Sequence, residues 1–286
     1  MADLLSETVD TGRYPIDRRE STEYEDTVSR ARKSLHESGC AVIKDFIRPE
    51  ALTVLAAEID ARKHTTHYST DSINPYFHTE FNADFPERHP VNTFIERSSG
   101  FVPGDAWEPA TTMRQLFEHE TVARFLADCL KLPSLYPYAD PLAGLTANIL
   151  DPGQQFTWHF DTNEFAVTVL VEEADEGGLF EYAPQIRSPE DERFDAVQAV
   201  LEGNRDGITT LDLCPGDLQI FRGRHSMHRV TRVGASSRPR HAAIFAYTEE
   251  PNVIGRVDRT RQLFGRVLPE HIEAEKRRVR SDTLLD

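Results

Sequence analysis

The chain has 286 residues, 39% hydrophobic and 28% charged, with a net charge of −16; this balance supports a buried core and excludes a disordered class. The negative charge disfavours nucleic-acid and membrane-surface partners, and no 18-residue apolar run marks a spanning helix. Three widely spaced cysteines, Cys40, Cys129 and Cys214, suit thiols of a reducing compartment, and without a basic-then-apolar leader the chain reads as a soluble cytoplasmic protein.

Residues 1–20 are polar and aperiodic and are expected to form a loose arm. A helical half follows over 21–140. Val28, Ala31 and Leu35 share one face of a helix over 23–37 that Ser38-Gly39 ends. Cys40-Ala41-Val42-Ile43 is a short strand, and from Pro49 to about residue 63 a second helix presents Leu52, Leu55, Ala56 and Ile59. Residues 64–110 are irregular and rich in Asn, Pro, His and aromatics, the pattern of a functional loop or lid. Helical spacing resumes over 112–118 and 120–132.

After Pro141 the text becomes short strands: 145–150, 156–160, 165–171, 179–182, 208–213, 218–221, 226–233 and 241–248. Turn residues separate them at Asp151-Pro152-Gly153, Glu176-Gly177-Gly178, Cys214-Pro215-Gly216-Asp217 and Gly234-Ala235-Ser236-Ser237. One helical insertion, 189–202, interrupts the series. Residues 251–286 form a helical extension in which Lys276-Arg277-Arg278-Val279-Arg280 reads as a solvated helix face. The fold class that follows is α+β: a single domain over 1–286 whose core at 141–250 is a double-stranded β-helix, a cupin-like jelly roll, with the N-terminal helices packed on it.

Chemistry concentrates in WHFDTN at 158–163. On a strand, His159 and Asp161 share one face while Trp158 and Phe160 point to the other and suit core packing. An H-x-D triplet alone arises by chance, so a third ligand is required. The stretch RGRHSMHRVTRV supplies His225 and His228, which face opposite ways; His228 is favoured because Val230 shares its face. Two histidines and one carboxylate leave three positions of an octahedral ion open, the donor set of non-haem Fe(II) oxygenases. An oxo-acid cosubstrate would need a buried cation at its far carboxylate. Arg240 is placed for this, sharing a strand face with Ala242, Ile244 and Ala246; Arg238, before Pro239, is the alternative.

Leu150 to Ala246 resembles an Fe(II)/2-oxoglutarate-dependent dioxygenase, with H-x-D at 159–161, H-x-V at 228–230 and an Arg leading into the last core strand. More narrowly, WHFDTNEFAVTVLVEEADEGGLFEY, CPGDLQIFRGRHSMHRVTRV and YADPL resemble bacterial enzymes that hydroxylate or chlorinate free amino acids, the lysine halogenase group. The resemblance implies an oxidoreductase using Fe(II), 2-oxoglutarate and O2, releasing succinate and CO2, and acting on an unactivated C–H bond of a small metabolite such as a free amino acid or amine. Halogenases of that group replace the metal carboxylate with Gly or Ala, so Asp161 implies hydroxylation. Alternatives are a hydroxylase of a protein or carrier-bound side chain and a non-oxygenase metal-binding jelly roll.

The interval from His228 to Arg240 is longer than in close relatives, which keeps Arg238 open. Asn148 is a second candidate for the oxo-acid. Asp140, Asn74, Tyr76, His78, Thr162, Asn163 and Glu249 are candidates for the substrate, with Thr162 and Asn163 also placed to orient Asp161. A second H-x-acid triplet, His78-Thr79-Glu80, lacks a strand and reads as a lid or surface pair.

Overall fold

The computed structural model describes residues 4–277, 284 and 285. The helices are α1 (Leu4–Thr8), α2 (Thr22–Ser38), α3 (Pro49–Arg62), α4 (Thr112–Phe117), α5 (Glu120–Leu130), α6 (Phe194–Leu201), α7 (Val257–Phe264) and α8 (Pro269–Glu275). The strands are β1 (Cys40–Ile43), β2 (His67–Ile73), β3 (Ile95–Val102), β4 (Tyr136–Pro137), β5 (Leu145–Leu150), β6 (Phe156–His159), β7 (Ala166–Glu172), β8 (Phe180–Ala183), β9 (Thr209–Thr210), β10 (Leu218–Phe221), β11 (Met227–Val230), β12 (Arg240–Phe245) and β13 (Tyr247–Thr248). Each strand expected after Pro141 has a counterpart, although β9 keeps only two residues of its expected six.

Two antiparallel sheets carry the architecture. The larger runs β1-β10-β7-β12-β5-β3-β2 and the smaller β6-β11-β8-β9. Period-2 alternation divides the large sheet into two faces. Leu145, Ala147, Ile149, Val167, Val169, Leu218, Ile220, Ala243 and Phe245 pack into one core with buried residues of α2 to α5. Thr146, Asn148, Thr168, Gln219, Arg240, Ala242 and Ile244 line a cavity on the other face. The helical layer thus holds the sheet from behind and leaves its inner face for the site.

Helix α2 shows how the sequence sets this layer. The Ser21 hydroxyl accepts from the Tyr24 N–H at 3.2 Å, one of the donors a helix start leaves unpaired. Tyr24, Val28, Ala31 and Leu35 form its buried face.

Two expectations need correction. The loose arm over 1–20 is not loose where it is described: α1 forms, and Leu5, Val9, Tyr14 and Ile16 are buried in the main core. These few apolar residues pack along a mostly non-repeating path, so no period revealed them. The 64–110 segment is not a wholly irregular lid either. Strands β2 and β3 pair along their length and extend the large sheet through β5. Strand β2 reads HYSTDSI with alternating exposure and no apolar face, as an edge strand can, so hydrophobic patterning could not report it.

Helices α7 and α8 follow β13. Of the basic cluster, Lys276 and Arg277 are described; residues 278–280 lie outside the described residues. Among the described residues no helix is long and apolar enough to cross a membrane.

Candidate metal and cosubstrate site

The end of β6 and the middle of β11 meet directly. His159 and His228 are register partners, and a bulge lets Phe156 pair with Val230 two positions on. The bulge puts Phe156 and His159 on the cavity side together, whereas strict alternation would separate them. Trp158 turns away into a cluster with Phe160 and Met227, with the Arg229 guanidinium over its ring. His228 and Val230 both face the cavity, while His225 stays on the preceding loop with Nε2 3.3 Å from Glu164.

Both imidazoles are fixed by their own chain. Nδ1 of His159 donates to the Thr157 carbonyl at 2.7 Å, and Nδ1 of His228 to the Ser226 carbonyl at 3.0 Å. A carbonyl can only accept, so each ring presents Nε2 as the free lone pair, the orientation metal-binding histidines need. These Nε2 atoms lie 3.8 Å and 3.5 Å from Oδ1 of Asp161. Phe77 and Phe156 flank His159, and Phe180 and Phe221 flank His228. Burial, reinforced by His228, drives the His159 pKa well below its ordinary value and keeps the ring neutral.

The donor set fits a divalent ion. His159, Asp161 and His228 each offer a ligand atom within 4.8 Å of the others. Oδ2 of Asp161 is buried with no hydrogen-bond partner among the described residues, and such an atom costs about 1–3 kcal/mol unless something else satisfies it. Gly223 makes the space: a Cβ there would come within 1.8 Å of that oxygen, and its carbonyl accepts from the Asp161 N–H at 3.1 Å.

A cavity of about 550 Å³ opens from this triad and includes Arg240. Arg240 is 5% exposed, and burial pushes its pKa down to about 10. Among the described residues no carboxylate forms an ion pair with it, and an uncompensated buried charge is costly enough to imply an anionic guest. Gly178, at φ +63, passes beside it, and a Cβ there would lie 3.1 Å from its Cδ. Arg238, the alternative, is exposed and paired with Asp175 at 2.9 Å, outside the cavity lining. Ala235, Ser236 and Ser237 make the turn that precedes it.

The other expected residues divide cleanly. Asn148, Thr162, Asn163 and Glu249 line the same cavity as the triad, with Asn148 donating to the Gly100 carbonyl at 3.2 Å. Asp140, Asn74, Tyr76 and His78 do not. Asp140 is consumed by the Leu142, Ala143 and Gly255 N–H groups and by His271 at 3.0 Å. Asn74 braces its own loop, accepting from the Tyr76 and His78 N–H groups and donating to the Val91 carbonyl. Tyr76 stacks on Phe160 behind the strand, and beside the partly buried His78, Thr79 and Glu80 are exposed.

Several cavity residues escaped sequence reasoning. Arg224 donates to the Thr162 carbonyl at 2.8 Å and lies 3.4 Å from Glu164, and Arg256 and Arg259 come from the α7 segment. Arg259 sits over the Phe77 ring. Arg224 stood in the stretch already singled out, but nothing in the sequence places α7 over the cavity mouth.

A family model described as Halogenase D (HalD) matches residues 103–260, more than half of the chain. The chain belongs to that family. It is thereby an enzyme of the Fe(II)/2-oxoglutarate-dependent oxygenase superfamily that its motifs resemble, with iron, 2-oxoglutarate and O2 as the reagents of that chemistry. No curated protein matches it. AviO1 from Streptomyces viridochromogenes Tue57 is 17% identical with a TM-score of 0.52, over 82% of this chain and 97% of that one. Two non-haem alpha-ketoglutarate-dependent enzymes of nogalamycin biosynthesis both have TM-scores of 0.51. The epimerase SnoN is 14% identical over 78% of this chain and 81% of its own. The carbocyclase SnoK is 13% identical over 80% and 89%. At these identities the likeness is one of fold.

Proposed function

We propose that the protein is a hydroxylase that inserts oxygen into an unactivated C–H bond of a small metabolite, a free amino acid or a related amine. One observation carries the reading: a triad with an unsatisfied carboxylate oxygen and two oriented Nε2 atoms shares a cavity with a buried arginine that pairs with no carboxylate among the described residues. In chain order the eight core strands β5 to β12 fall in the order 6-3-8-1 in the large sheet and 2-7-4-5 in the small one. We read this as a double-stranded β-helix.

His159, Asp161 and His228 would hold the iron, and Arg240 the distal carboxylate of 2-oxoglutarate, whose planar fork matches a carboxylate with two charge-assisted hydrogen bonds. When bound, iron and 2-oxoglutarate supply the activation of O2, with release of succinate and CO2. The chain orients these reagents and keeps water away: Phe156, Phe180 and Phe221 line the cavity around the histidines. Asn148 lines the same cavity and would offer a further contact to the oxo-acid.

The mouth favours a zwitterionic substrate. Arg224, Arg256 and Arg259 line the cavity together with Glu164, Glu249 and Glu250, so cationic groups for a carboxylate and carboxylates for an ammonium border one space. Thr162 and Asn163 add neutral polar groups beside Asp161. Hydroxylation rather than chlorination follows from Asp161, whose carboxylate fills the position that halogenating relatives leave to chloride.

The test is a panel of amino acids, amines and peptides incubated with Fe(II), ascorbate and 2-oxoglutarate and read by mass. A gain of one oxygen on a free amino acid or amine, with matching succinate, is expected with or without chloride. Turnover confined to peptides would overturn the substrate class, and a chlorinated product would overturn the role given to Asp161.

A further inference from the structure

A second group of metal-ligating side chains lies on the opposite face of the large sheet. His241 follows Arg240 in β12, so its ring turns away from the cavity. Its partner across the ladder is Glu172, the last residue of β7, and Asp60 in the last turn of α3 reaches the same point. One ligand atom from each of the three lies within 4.8 Å of the other two.

The histidine is the unusual member. It is fully buried, Nδ1 is paired with Oε2 of Glu172, and among the described residues Nε2 has no hydrogen-bond partner. Buried polar atoms are rarely left so, because each costs about 1–3 kcal/mol. Burial, with Lys63 nearby, lowers its pKa and favours the neutral ring that binds metals. The carboxylates of Asp60 and Glu172 meet that ring, and Nζ of Lys63 is 2.9 Å from Oδ1 of Asp60.

We propose that Asp60, Glu172 and His241 form a second divalent-metal site with the donor preference of zinc. One imidazole and two carboxylates, with water in the fourth position, suit a tetrahedral borderline ion better than Mg²⁺ or Ca²⁺, which take oxygen ligands. Zinc–ligand bonds are about 2.0–2.2 Å, and the exposed Asp60 side chain can swing inward to meet the buried ring. The bound ion ties the end of α3 to the β7–β12 pair directly behind Arg240. Because it shares no ligand with the His159–Asp161–His228 triad, the site does not depend on the oxygenase reading.

The experiment is a Zn²⁺ titration of the metal-free full chain, with bound metal counted by elemental analysis and binding followed by calorimetry. Wild type should take up two equivalents, one at each site, and the H159A/H228A variant one. Asp60→Asn and Glu172→Gln should each lose one equivalent from wild type, and Lys63→Ala should keep both while tightening the second. Asp60 is exposed, so its variant tests the site without disturbing the core. In the H159A/H228A background zinc should raise the Tm, and Asp60→Asn should abolish that rise. Failure of the H159A/H228A variant to take up zinc, or retention of both equivalents by Asp60→Asn and Glu172→Gln, would falsify the second site.

Discussion

The metal end of the cavity and its mouth are built on different terms. At the metal end the histidines sit on two paired strands, their Nδ1 atoms are held by carbonyls two residues back in their own chain, and phenylalanine rings enclose them. At the mouth, side chains arrive from loops and from α7, with Arg256 and Arg259 only partly buried and Glu164, Glu249 and Glu250 exposed. Strands fix atoms to within the tolerance of coordination chemistry, whereas loops can be exchanged without disturbing the ladder. The contrast teaches that reaction type is written into the sheet and choice of substrate into what surrounds it.

The first way to break this comparison is to damage the metal end. Asp161→Ala removes a ligand whose Oδ2 has no hydrogen-bond partner among the described residues; without chloride to fill the vacated position, hydroxylated product should fall by roughly a thousandfold or more, because the ion positions and activates both reactants. Gly223→Ala tests the same carboxylate without touching it, since the new methyl would overlap Asp161. Iron affinity should weaken by about 10–100-fold, the range for disturbed support of a ligand. Retained activity in both variants would mean the triad is not the working site.

Arg240→Ala comes next. Two charge-assisted hydrogen bonds at about 1.5–3 kcal/mol each predict a rise in KM for 2-oxoglutarate on the order of a hundredfold or more, with a weaker charge-transfer band when Fe(II) and 2-oxoglutarate are added anaerobically. Arg238→Ala, which breaks only an exposed pair with Asp175, should leave KM unchanged.

At the mouth the effect should be smaller and of another kind. Arg259→Ala and Glu249→Gln should raise KM for the amino substrate by roughly tenfold, one partly exposed charged contact each, and leave KM for 2-oxoglutarate alone. If either moved the two constants together, the mouth and the metal end would not be separable, and the comparison would fail.

The same division governs what the sequence revealed. The core strands were legible because a half-buried strand must alternate, and Gly and Pro turns punctuate them. His159, Asp161, His228 and Arg240 could be brought together once those strands were assumed to fold side by side. Strands β2 and β3 were hidden, since β2 has no apolar face to print a period. Asp140 and Asn74 looked like ligand residues because buried polar side chains that brace loops use the same letters as those that bind substrates; only their hydrogen bonds separate the two. Arg259 was illegible for a different reason. Its role follows from where α7 docks, a long-range contact with no local signature.

The smallest expected effect on turnover, and the sharpest on stability, lies just behind the metal end. Glu181 of β8 holds Arg229 at 2.7 Å and Arg205 at 2.6 Å, and Arg229 in turn covers Trp158, next to His159. Burial opposes ionisation of Glu181, but the two guanidinium groups outweigh it and lower its pKa. A carboxyl depressed on folding contributes stability that is present above its unfolded value, about 4.3, and lost as the pH falls through the folded value. Glu181→Gln should therefore lower stability near neutral pH by about 1–3 kcal/mol and flatten the acid side of the Tm profile, the two proteins converging at low pH. With iron and substrate saturating, turnover at neutral pH should stay close to wild type. A turnover loss as large as that of Gly223→Ala would instead mean that the second layer behind Trp158 positions the ligands as strictly as the strand carbonyls do.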